Sequence, residues 1–372
     1  MSDLILDSLE IRRFRSFRHL SIAKLGRVNL IVGKNNVGKS CLLEALQLYA
    51  GKGFPNLLWQ ILHSHDEDPG GRSSQVYSSS QDDEAALSAL KYLFYGRKEI
   101  KTDIDPVSIG PVNAPDKTLS LTIKFYASNI DEEGRRNFQP ALFEDEFALE
   151  DLTPRLSVWQ GEQVIVVTYP LSPIPSRLHR TEFKVVNCVI AEAGGLDKRK
   201  IGELWDKIAL TDRESQVLAA LRIIAPGIEG ISIVGDSGKT RERFTIVKVA
   251  GMDEPVPIRS LGDGMQRMLG IALALVNAEN GLLLIDEVEN GLHYSIQTDL
   301  WRLIFQVAQR LNIQVFATSH SWDCIEAFQK AAQENEQEGG LIRLEHKKGE
   351  VVATIFDEHE LAIATREQIE IR

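Results

Sequence analysis

Gly33-Lys34-Asn35-Asn36-Val37-Gly38-Lys39-Ser40 is the stretch that decides the fold, because it has the G-x-x-x-x-G-K-S pattern of a phosphate-binding loop. The apolar residues 28–32 before it predict a buried strand, and residues 41–50 after it predict an apolar-periodic helix. Between such elements, the two glycines let the backbone turn tightly so that its N–H groups surround phosphates. The start of the helix adds a partial positive charge at the same place.

Two side chains of this loop are expected to act on the bound phosphates. Lys39 would neutralise the β- and γ-phosphates of a nucleoside triphosphate, and the Ser40 hydroxyl would take a Mg²⁺ coordination position. The sequence therefore predicts a nucleoside triphosphate site that works with Mg²⁺.

An acidic pair follows a second apolar stretch far downstream. Residues 282–285, Leu-Leu-Leu-Ile, predict a buried central strand, and Asp286-Glu287 comes directly after it. The carboxyl ends of such strands are where open α/β sheets bind ligands. Asp286 is expected to hold Mg²⁺ through its water shell, and Glu287 to orient and polarise the attacking water. The pair at this position predicts hydrolysis of the nucleotide.

A histidine follows the next predicted strand. Residues 313–318 predict a strand beside the one that ends at Asp286, and His320 comes two residues later. From that edge the imidazole could hydrogen-bond the γ-phosphate or the attacking water. The alternative is a histidine that caps a helix or lies in the core. We expect Glu287 and His320 to be the catalytic residues.

A serine and two glycines precede a strongly apolar helix predicted for residues 265–279. Ser260, Gly262, Asp263 and Gly264 would bring a hydroxyl, free N–H groups and the helix dipole together, which makes a second anion site. Because one chain has one nucleotide for two such sites, this site is expected to act in trans on the γ-phosphate held by another copy. The pattern predicts a head-to-tail homodimer or higher homo-oligomer, and an ordinary capped helix is the alternative.

Helices and strands alternate in the last third of the chain. The predicted elements are helix 265–279, strand 281–286, helix 295–310, strand 313–318 and helix 321–335. Such alternation favours a mostly parallel sheet covered by helices on both faces. Residues 100–191 contain β-type runs instead. We therefore expect an α/β fold with a β-rich middle insertion, divided into an N-terminal lobe (1–100), a β-rich and helical middle region (about 100–255) and a C-terminal lobe (about 256–372).

The composition argues against a secreted, membrane-spanning or disulfide-bonded protein. The start of the chain shows no secretory signal, and no apolar run approaches the ~20 residues that a membrane helix needs. Three scattered cysteines (Cys41, Cys188, Cys324) form neither a metal-ligand spacing nor an even disulfide set, which is typical of a reducing cytosol. We therefore expect a cytoplasmic protein with no membrane partner.

The balance of charge bears on nucleic-acid binding. The net charge of -11 argues against a general nucleic-acid coat. A local basic stretch remains, formed by Arg12, Arg13, Arg15 and Arg18 with Phe14 and Phe17 between them. This stretch is a solvated strand edge, a set of contacts on the nucleotide side, or a nucleic-acid contact.

The order and spacing of these motifs resemble the ATP-binding heads of the ABC superfamily, in the branch shared by SMC, RecF and OLD (overcoming lysogenization defect) proteins. FRSFRHLSI, VNLIVGKNNVGKS and DEVENGLH look most like OLD-like AAA ATPases of bacterial phage-defence systems. The resemblance covers roughly residues 1–50 and 255–325. It implies an ABC/SMC-like head that sandwiches ATP and Mg²⁺ in a dimer, with Glu289–His293 where the D-loop meets the other subunit.

The chain departs from that family in three places. OLD nucleases carry a Toprim domain after the ATPase, and the few residues after His320 lead us to expect no built-in nuclease. The Q-loop glutamine is not identifiable among Gln60, Gln75 and Gln163. The signature reads SLGDG where transporters have LSGGQ, which favours the SMC-like branch over a transporter subunit.

Two functional hypotheses remain. The first is an ATP-driven switch that controls a separately encoded effector, a nuclease or toxin, in anti-phage defence. The second is an SMC/RecF-like ATPase of DNA repair or DNA sensing, which needs a basic groove for nucleic acid.

Overall fold

The computed structural model describes residues 4–67, 80–130, 136–140, 152–168, 171, 185–235, 243–335, 338–356 and 360–361. Its strands are β1 Leu9–Phe14, β2 Phe17–Ile22, β3 Val28–Val32, β4 Val107–Gly110, β5 Leu119–Ile130, β6 Arg136–Pro140, β7 Leu152–Gln160, β8 Gln163–Thr168, β9 Cys188–Ala191, β10 Ile228–Gly235, β11 Arg243–Val249, β12 Val256–Pro257, β13 Leu282–Ile285, β14 Gln314–Ser319, β15 Gly339–Lys347 and β16 Glu350–Phe356. Its α-helices are α1 Lys39–Ala50, α2 Pro55–Ser64, α3 Ser80–Leu90, α4 Lys198–Asp206, α5 Arg213–Ile224, α6 Asp263–Asn277, α7 Tyr294–Arg310 and α8 Trp322–Gln333.

A mixed sheet holds the strands that carry the predicted motifs. Within the described residues its order is β16-β15-β3-β14-β13-β9, with β16 antiparallel to β15 and the other neighbours parallel. Every residue of β3, β13 and β14 is buried, as expected for parallel strands that are covered on both faces. The predicted neighbours β13 and β14 pair directly, in the register Ile285 to Ala317.

The two faces of this sheet pack against different layers. Side chains of alternate strand residues point to opposite faces, so that Leu283 and Ile285 join one core while Leu282 and Leu284 join the other. Helices α4 to α8 cover the first face, and α1 with the N-terminal strands covers the second. The predicted α/β fold with helices on both faces of a mixed sheet is confirmed.

The β-rich middle region is joined to both lobes by strand pairing. In the described part of the chain, an antiparallel sheet runs β2-β1-β4-β5-β7-β8, with β6 on β5, so strands after residue 100 extend the N-terminal hairpin. The strand β9 instead lies at the edge of the mixed sheet beside β13. The sequence pattern predicts that residues 231–234 pair with residues 244–249 as a hairpin, and this hairpin is present as β10 and β11.

Some predicted boundaries were wrong for local reasons. The sequence pattern predicts short strands at 4–11 and 20–24 around the arginine-rich stretch, but they lie closer together, at Leu9–Phe14 and Phe17–Ile22, and are joined by a tight turn in which Arg15 has a φ of 48°. The apolar pattern of residues 203–224 predicts one helix, but the structure forms two, α4 and α5. Leu210, with φ 63°, lies in the turn that separates them, and Asp197 caps the first by accepting from the Lys200 N–H.

Candidate functional site

The phosphate-binding loop has the backbone that its glycines predict. Gly33 and Gly38 have φ angles of 150° and 102°. A Cβ at Gly33 would lie 2.5 Å from the Leu344 carbonyl oxygen, and one at Gly38 would lie 2.7 Å from the Ser16 hydroxyl. Glycine is therefore required at both positions by conformation and by close packing. The loop tip (Lys34, Asn35 and Asn36) is exposed, whereas Val37 is buried.

Lys39 lies inside the loop and is 8% exposed. Its Nζ donates to the carbonyl oxygens of Gly33 at 2.7 Å and Lys34 at 3.1 Å. Burial lowers the pKa of the Lys39 ammonium, and the carboxylates of Glu287, Asp286 and Glu289 act in the opposite direction. The ammonium is thus held by two neutral backbone carbonyls at the place where phosphate charge is expected.

The two predicted Mg²⁺ ligands meet across the sheet. Ser40 Oγ lies 3.2 Å from Asp286 Oδ2, although the residues are 246 positions apart. Thr318 Oγ1 donates to Asp286 Oδ1 at 2.5 Å and accepts from the Glu287 N–H at 2.8 Å. Thr318 fixes both acidic residues and was not predicted as a site residue, although a hydroxyl side chain at the end of β14 is a signal that could have found it. Hard oxygen ligands of this kind fit Mg²⁺.

Glu287 stands in a strained position beside the expected γ-phosphate. Its φ angle is 47°, which is unusual for a residue with a side chain, and its side chain is 35% exposed. Oε2 accepts from Asn290 Nδ2 at 2.5 Å. Oε1 lies 3.8 Å from His320 Nδ1. The predicted catalytic pair is therefore brought together at the end of β13 and β14.

His320 is neither a core residue nor a helix cap. Its side chain is 48% exposed, and Ser321 caps α8 instead by accepting from the Cys324 N–H. The ring Nδ1 lies 3.4 Å from Glu289 Oε1. That carboxylate oxygen also accepts from Ser319 Oγ at 2.8 Å and from the His320 N–H at 3.0 Å. The side chain of Glu289 thus contacts Ser319 and His320 at the end of β14.

The signature residues lie at the exposed start of α6. A 3₁₀ helix, Ile258–Leu261, leads into Gly262, and α6 begins at Asp263, two residues before the predicted start. Ser260, Gly262 and Asp263 are exposed, while Gly264 is half-buried. No side chain in the described residues caps this helix. Gly262 is its N-cap, so the anion site and the ordinary capped helix both stay predictions.

A buried arginine joins the signature helix to the acidic pair. Arg267 is 6% exposed, and its guanidinium donates to the carbonyl oxygens of Glu192, Asp286 at 2.7 Å and Glu287 at 2.9 Å. Burial lowers the pKa of Arg267, whereas the negative charges of Asp286, Glu289 and Glu287 raise it. Sequence reasoning missed this residue, although a charge inside the apolar run of α6 was a signal.

The arginine-rich stretch is largely neutralised within the chain. Phe14 and Phe17 are fully buried, so their rings are not available for base stacking. The ion pairs of the arginines are Arg12 with Glu10, Arg13 with Asp105, Arg15 with Glu44 and Glu67, and Arg18 with Glu350. These contacts favour the structural alternative over a nucleic-acid contact.

The candidates for a Q-loop glutamine lie on different elements of the fold. Gln60 is exposed on α2, Gln163 begins β8 of the antiparallel sheet, and Gln75 lies outside the described residues.

Among the helices that the structure describes, none has the length and apolar character needed to span a membrane.

Comparison with known proteins agrees with this geometry. Residues 5–184 match the model of the "AAA ATPase domain", and residues 212–323 match a model described as "AAA domain, putative AbiEii toxin, Type IV TA system". The chain is 25% identical over 354 residues to an ATP/GTP phosphatase of Helicobacter pylori, covering 89% of this chain and 90% of that protein. It is also 31% identical over 111 residues to the uncharacterized protein MJECL11 of Methanocaldococcus jannaschii, which is 30% of this chain and 96% of that protein.

A solved structure is similar in fold. An SMC head bound to the C-terminal winged-helix domain of ScpA superposes with a TM-score of 0.51 at 13% identity, covering 94% of this chain and 97% of that chain. The fold and the site together define a P-loop ATPase with an SMC-head-like fold. The two matched regions, residues 5–184 and 212–323, contain all the motifs of the site, and these matches support ATP hydrolysis.

Proposed function

We propose that the protein is an ATP-driven switch in which two chains close head to tail around two Mg-ATP and thereby control a separate effector, a nuclease or toxin of anti-phage defence. The observation that carries this proposal is the division of the site. One chain holds a phosphate loop with Ser40, Asp286, Glu287 and His320, while its signature residues Ser260, Gly262 and Asp263 are exposed at the start of α6.

The position of the signature supports action in trans. Helix α1, which follows the phosphate loop, packs on one face of the mixed sheet, and α6 packs on the opposite face. The exposed Ser260 hydroxyl and the N–H groups at the start of α6, which no side chain caps in the described residues, would form the proposed anion site. A second copy, turned head to tail, would bring its phosphate loop to this site.

The residues of the loop fit Mg-ATP. The backbone from Gly33 to Ser40 would surround the phosphates, and Lys39 would leave its backbone carbonyls for the β- and γ-phosphates. Ser40 and Asp286 would hold Mg²⁺, which neutralises phosphate charge when bound. Glu287 would orient the attacking water, and His320 would hydrogen-bond that water or the γ-phosphate.

Two observations bear on the idea of a separate effector. The model that matches residues 212–323 has a description that names a toxin and a Type IV TA system. No group of three or more His, Cys, Asp or Glu side chains arranged to hold a metal lies in the described part of the chain. The proposal assigns nuclease or toxin chemistry to a partner, and ATP would supply the difference in affinity between open and closed states.

Dimer closure is tested with Glu287→Gln, which should bind ATP without hydrolysing it. Size-exclusion chromatography with light scattering should give a dimer with Mg-ATP and a monomer with ADP. Wild-type turnover per chain should rise with protein concentration below the dimer Kd. Turnover per chain that is independent of concentration, together with a monomeric Glu287→Gln chain, would contradict the proposal.

Effector control is tested with the products of the neighbouring genes. Each product is mixed with Glu287→Gln and with a nucleotide-free Lys39→Ala control, and complex formation and effector activity are measured. Binding or activity that differs between the two variants supports the switch. Strong duplex DNA binding that weakens steeply with salt, with no effector, would support the DNA-sensing alternative instead.

A further inference from the structure

The turn after β13 holds the carboxylate of Glu287 from within the same chain. Asn290 Nδ2 donates to Glu287 Oε2 at 2.5 Å, and the Asn290 N–H donates to the Glu287 carbonyl oxygen at 3.1 Å. The amide therefore fixes one carboxylate oxygen, while Oε1 remains on the side of His320. A carboxylate held in this way keeps one oxygen free to accept a proton from water.

The neighbouring residue holds the histidine. Glu289 Oε1 accepts from Ser319 Oγ and from the His320 N–H, and it lies 3.4 Å from His320 Nδ1. The Glu289 side chain is only 8% exposed, so the ring is anchored to a buried group. With Nδ1 facing Glu289, the other ring nitrogen, Nε2, is left for the nucleotide side.

We infer that Asn290 and Glu289 are positioning residues for ATP hydrolysis, in which Asn290 sets the rotamer of Glu287 and Glu289 sets the ring of His320. This inference rests on the proposed role of Glu287 as the residue that orients water. Neither positioning residue touches the reacting atoms. They hold Glu287 and His320 in the geometry that phosphoryl transfer needs. A misplacement of about 1 Å lowers the reaction rate on the order of 10²-fold.

The Asn290 side chain does more than close the turn. The turn is already closed by the bond from the Asn290 N–H to the Glu287 carbonyl oxygen. The second acceptor of the amide, the Ala193 carbonyl oxygen, lies at 3.4 Å, which is long compared with the 2.5 Å bond to Glu287. The short contact of the side chain is therefore with the acid that the chemistry needs.

The experiment compares Asn290→Ala and Asn290→Asp with wild type, with the exposed Asn56→Ala as a control. We expect kcat to fall roughly 10–100-fold in both Asn290 variants, while KM and the Kd of a non-hydrolysable ATP analogue change less than about twofold. Asn290→Asp keeps the size but replaces the donor by a second carboxylate. Analogue-induced dimerisation should be retained, which separates positioning from assembly.

Two further variants test the assignment. Adding Asn290→Ala to Glu287→Gln should lower kcat no further, because residues that act as a unit are not additive. Glu289→Ala should lower kcat, whereas Glu289→Gln should recover most of it, because an amide oxygen still accepts from Ser319 and His320.

The outcomes separate this inference from the proposed function. If Glu287→Gln turns over ATP at the wild-type rate, the proposed role of Glu287 fails. If Glu287→Gln is inactive but Asn290→Ala retains wild-type kcat, the positioning role alone is overturned. A loss in Asn290→Ala that appears only as weaker analogue binding or a lower Tm would also overturn it, because that is the result of a purely structural turn.

Discussion

Gly264 of the signature helix faces the carbonyl oxygen of Gly291 so closely that a Cβ at position 264 would lie 2.7 Å from that oxygen. The signature and the turn after Glu287 are therefore in contact within one chain. Arg267 adds a second connection, since it donates to the carbonyl oxygens of Asp286 and Glu287. A displacement at the start of α6 is expected to reach the acidic pair.

The contact predicts that Gly264→Ala lowers ATP turnover. The added methyl group must push the turn away from α6, because backbone atoms cannot give way as a flexible side chain can. We expect kcat to fall about tenfold or more. Gly270→Ala on the same helix is the control, since its Cβ would lie 3.6 Å from Leu196, at ordinary contact distance. Equal turnover in the two variants would show that the contact does not matter for catalysis.

Lys39→Ala should abolish tight ATP binding, because the ammonium is the expected partner of the β- and γ-phosphates. Differential scanning fluorimetry provides the measurement. At roughly 100 times its Kd, ATP stabilises wild type by about 2.7 kcal/mol, and we expect this gain to vanish in the variant. The exposed Lys24→Ala should keep the ATP-dependent rise in Tm. A rise that persists in Lys39→Ala would contradict the assignment.

Ser260→Arg should separate binding from closure. The new side chain lies at the proposed anion site before α6, away from the phosphate loop's own residues, so a single chain should still bind ATP with wild-type Kd. Closure and hydrolysis should fail because the arginine fills the place of the partner's γ-phosphate. Calorimetry gives the Kd, and light scattering gives the dimer. Ser21→Arg, at an exposed serine of β2, is the control, and wild-type turnover in Ser260→Arg would show that the trans role is mistaken.

Arg267→Ala should lower the free energy of unfolding by ~3 kcal/mol. The change removes a buried guanidinium that donates to three part-buried carbonyl oxygens, those of Glu192, Asp286 and Glu287, and hydrogen bonds from a charged group contribute about 1.5–3 kcal/mol each. Urea unfolding measures the difference. Arg199→Ala is the control, because its ion pair with Glu203 is highly exposed and should change stability by less than about 0.5 kcal/mol. Similar losses in both variants would count against a structural role for Arg267.

The pair His65–Glu44 predicts a pH-dependent stability. Glu44 Oε1 lies 2.5 Å from His65 Nε2. This hydrogen bond raises the pKa of His65, and the charge of Glu67 also raises it, whereas burial and the charge of Arg15 lower it. The net effect is a raised pKa. Protonated His65 therefore stabilises the folded state. This stabilisation is complete below the ordinary pKa of 6.5 and is lost as pH rises through the higher folded pKa.

The matching experiment compares Tm values across pH. Wild type should exceed His65→Gln in Tm at about pH 5.5, and the difference should shrink toward zero by about pH 9. In a Glu44→Gln background the pH-dependent difference should disappear, because the raised pKa depends on that carboxylate. A difference that is constant with pH in wild type would contradict the ion pair.

Local patterns were enough for the phosphate loop and for the strands that end beside it. G-x-x-x-x-G-K-S needs its own glycines, and runs such as residues 28–32 and 282–285 are buried on both faces whatever their partners. The same patterns did not reveal that residues 203–224 form two helices, because the break at Leu210 depends on a positive φ that its residue type does not favour. They also missed Thr318, Asn290 and Arg267, whose roles depend on partners from other elements.

The sequence by itself determined the chemical groups and the type of element that carries each: glycines and Lys39 in a strand-to-helix loop, acids after an apolar strand, and glycines at a helix start. Only the tertiary structure decided which groups meet. Parallel pairing of β13 with β14 in the register Ile285 to Ala317 sets Thr318 against Asp286, and Ser40 reaches Asp286 across 246 positions. A shift of one residue in that register would reverse the faces of the strand, so the site depends on long-range packing that no local pattern encodes.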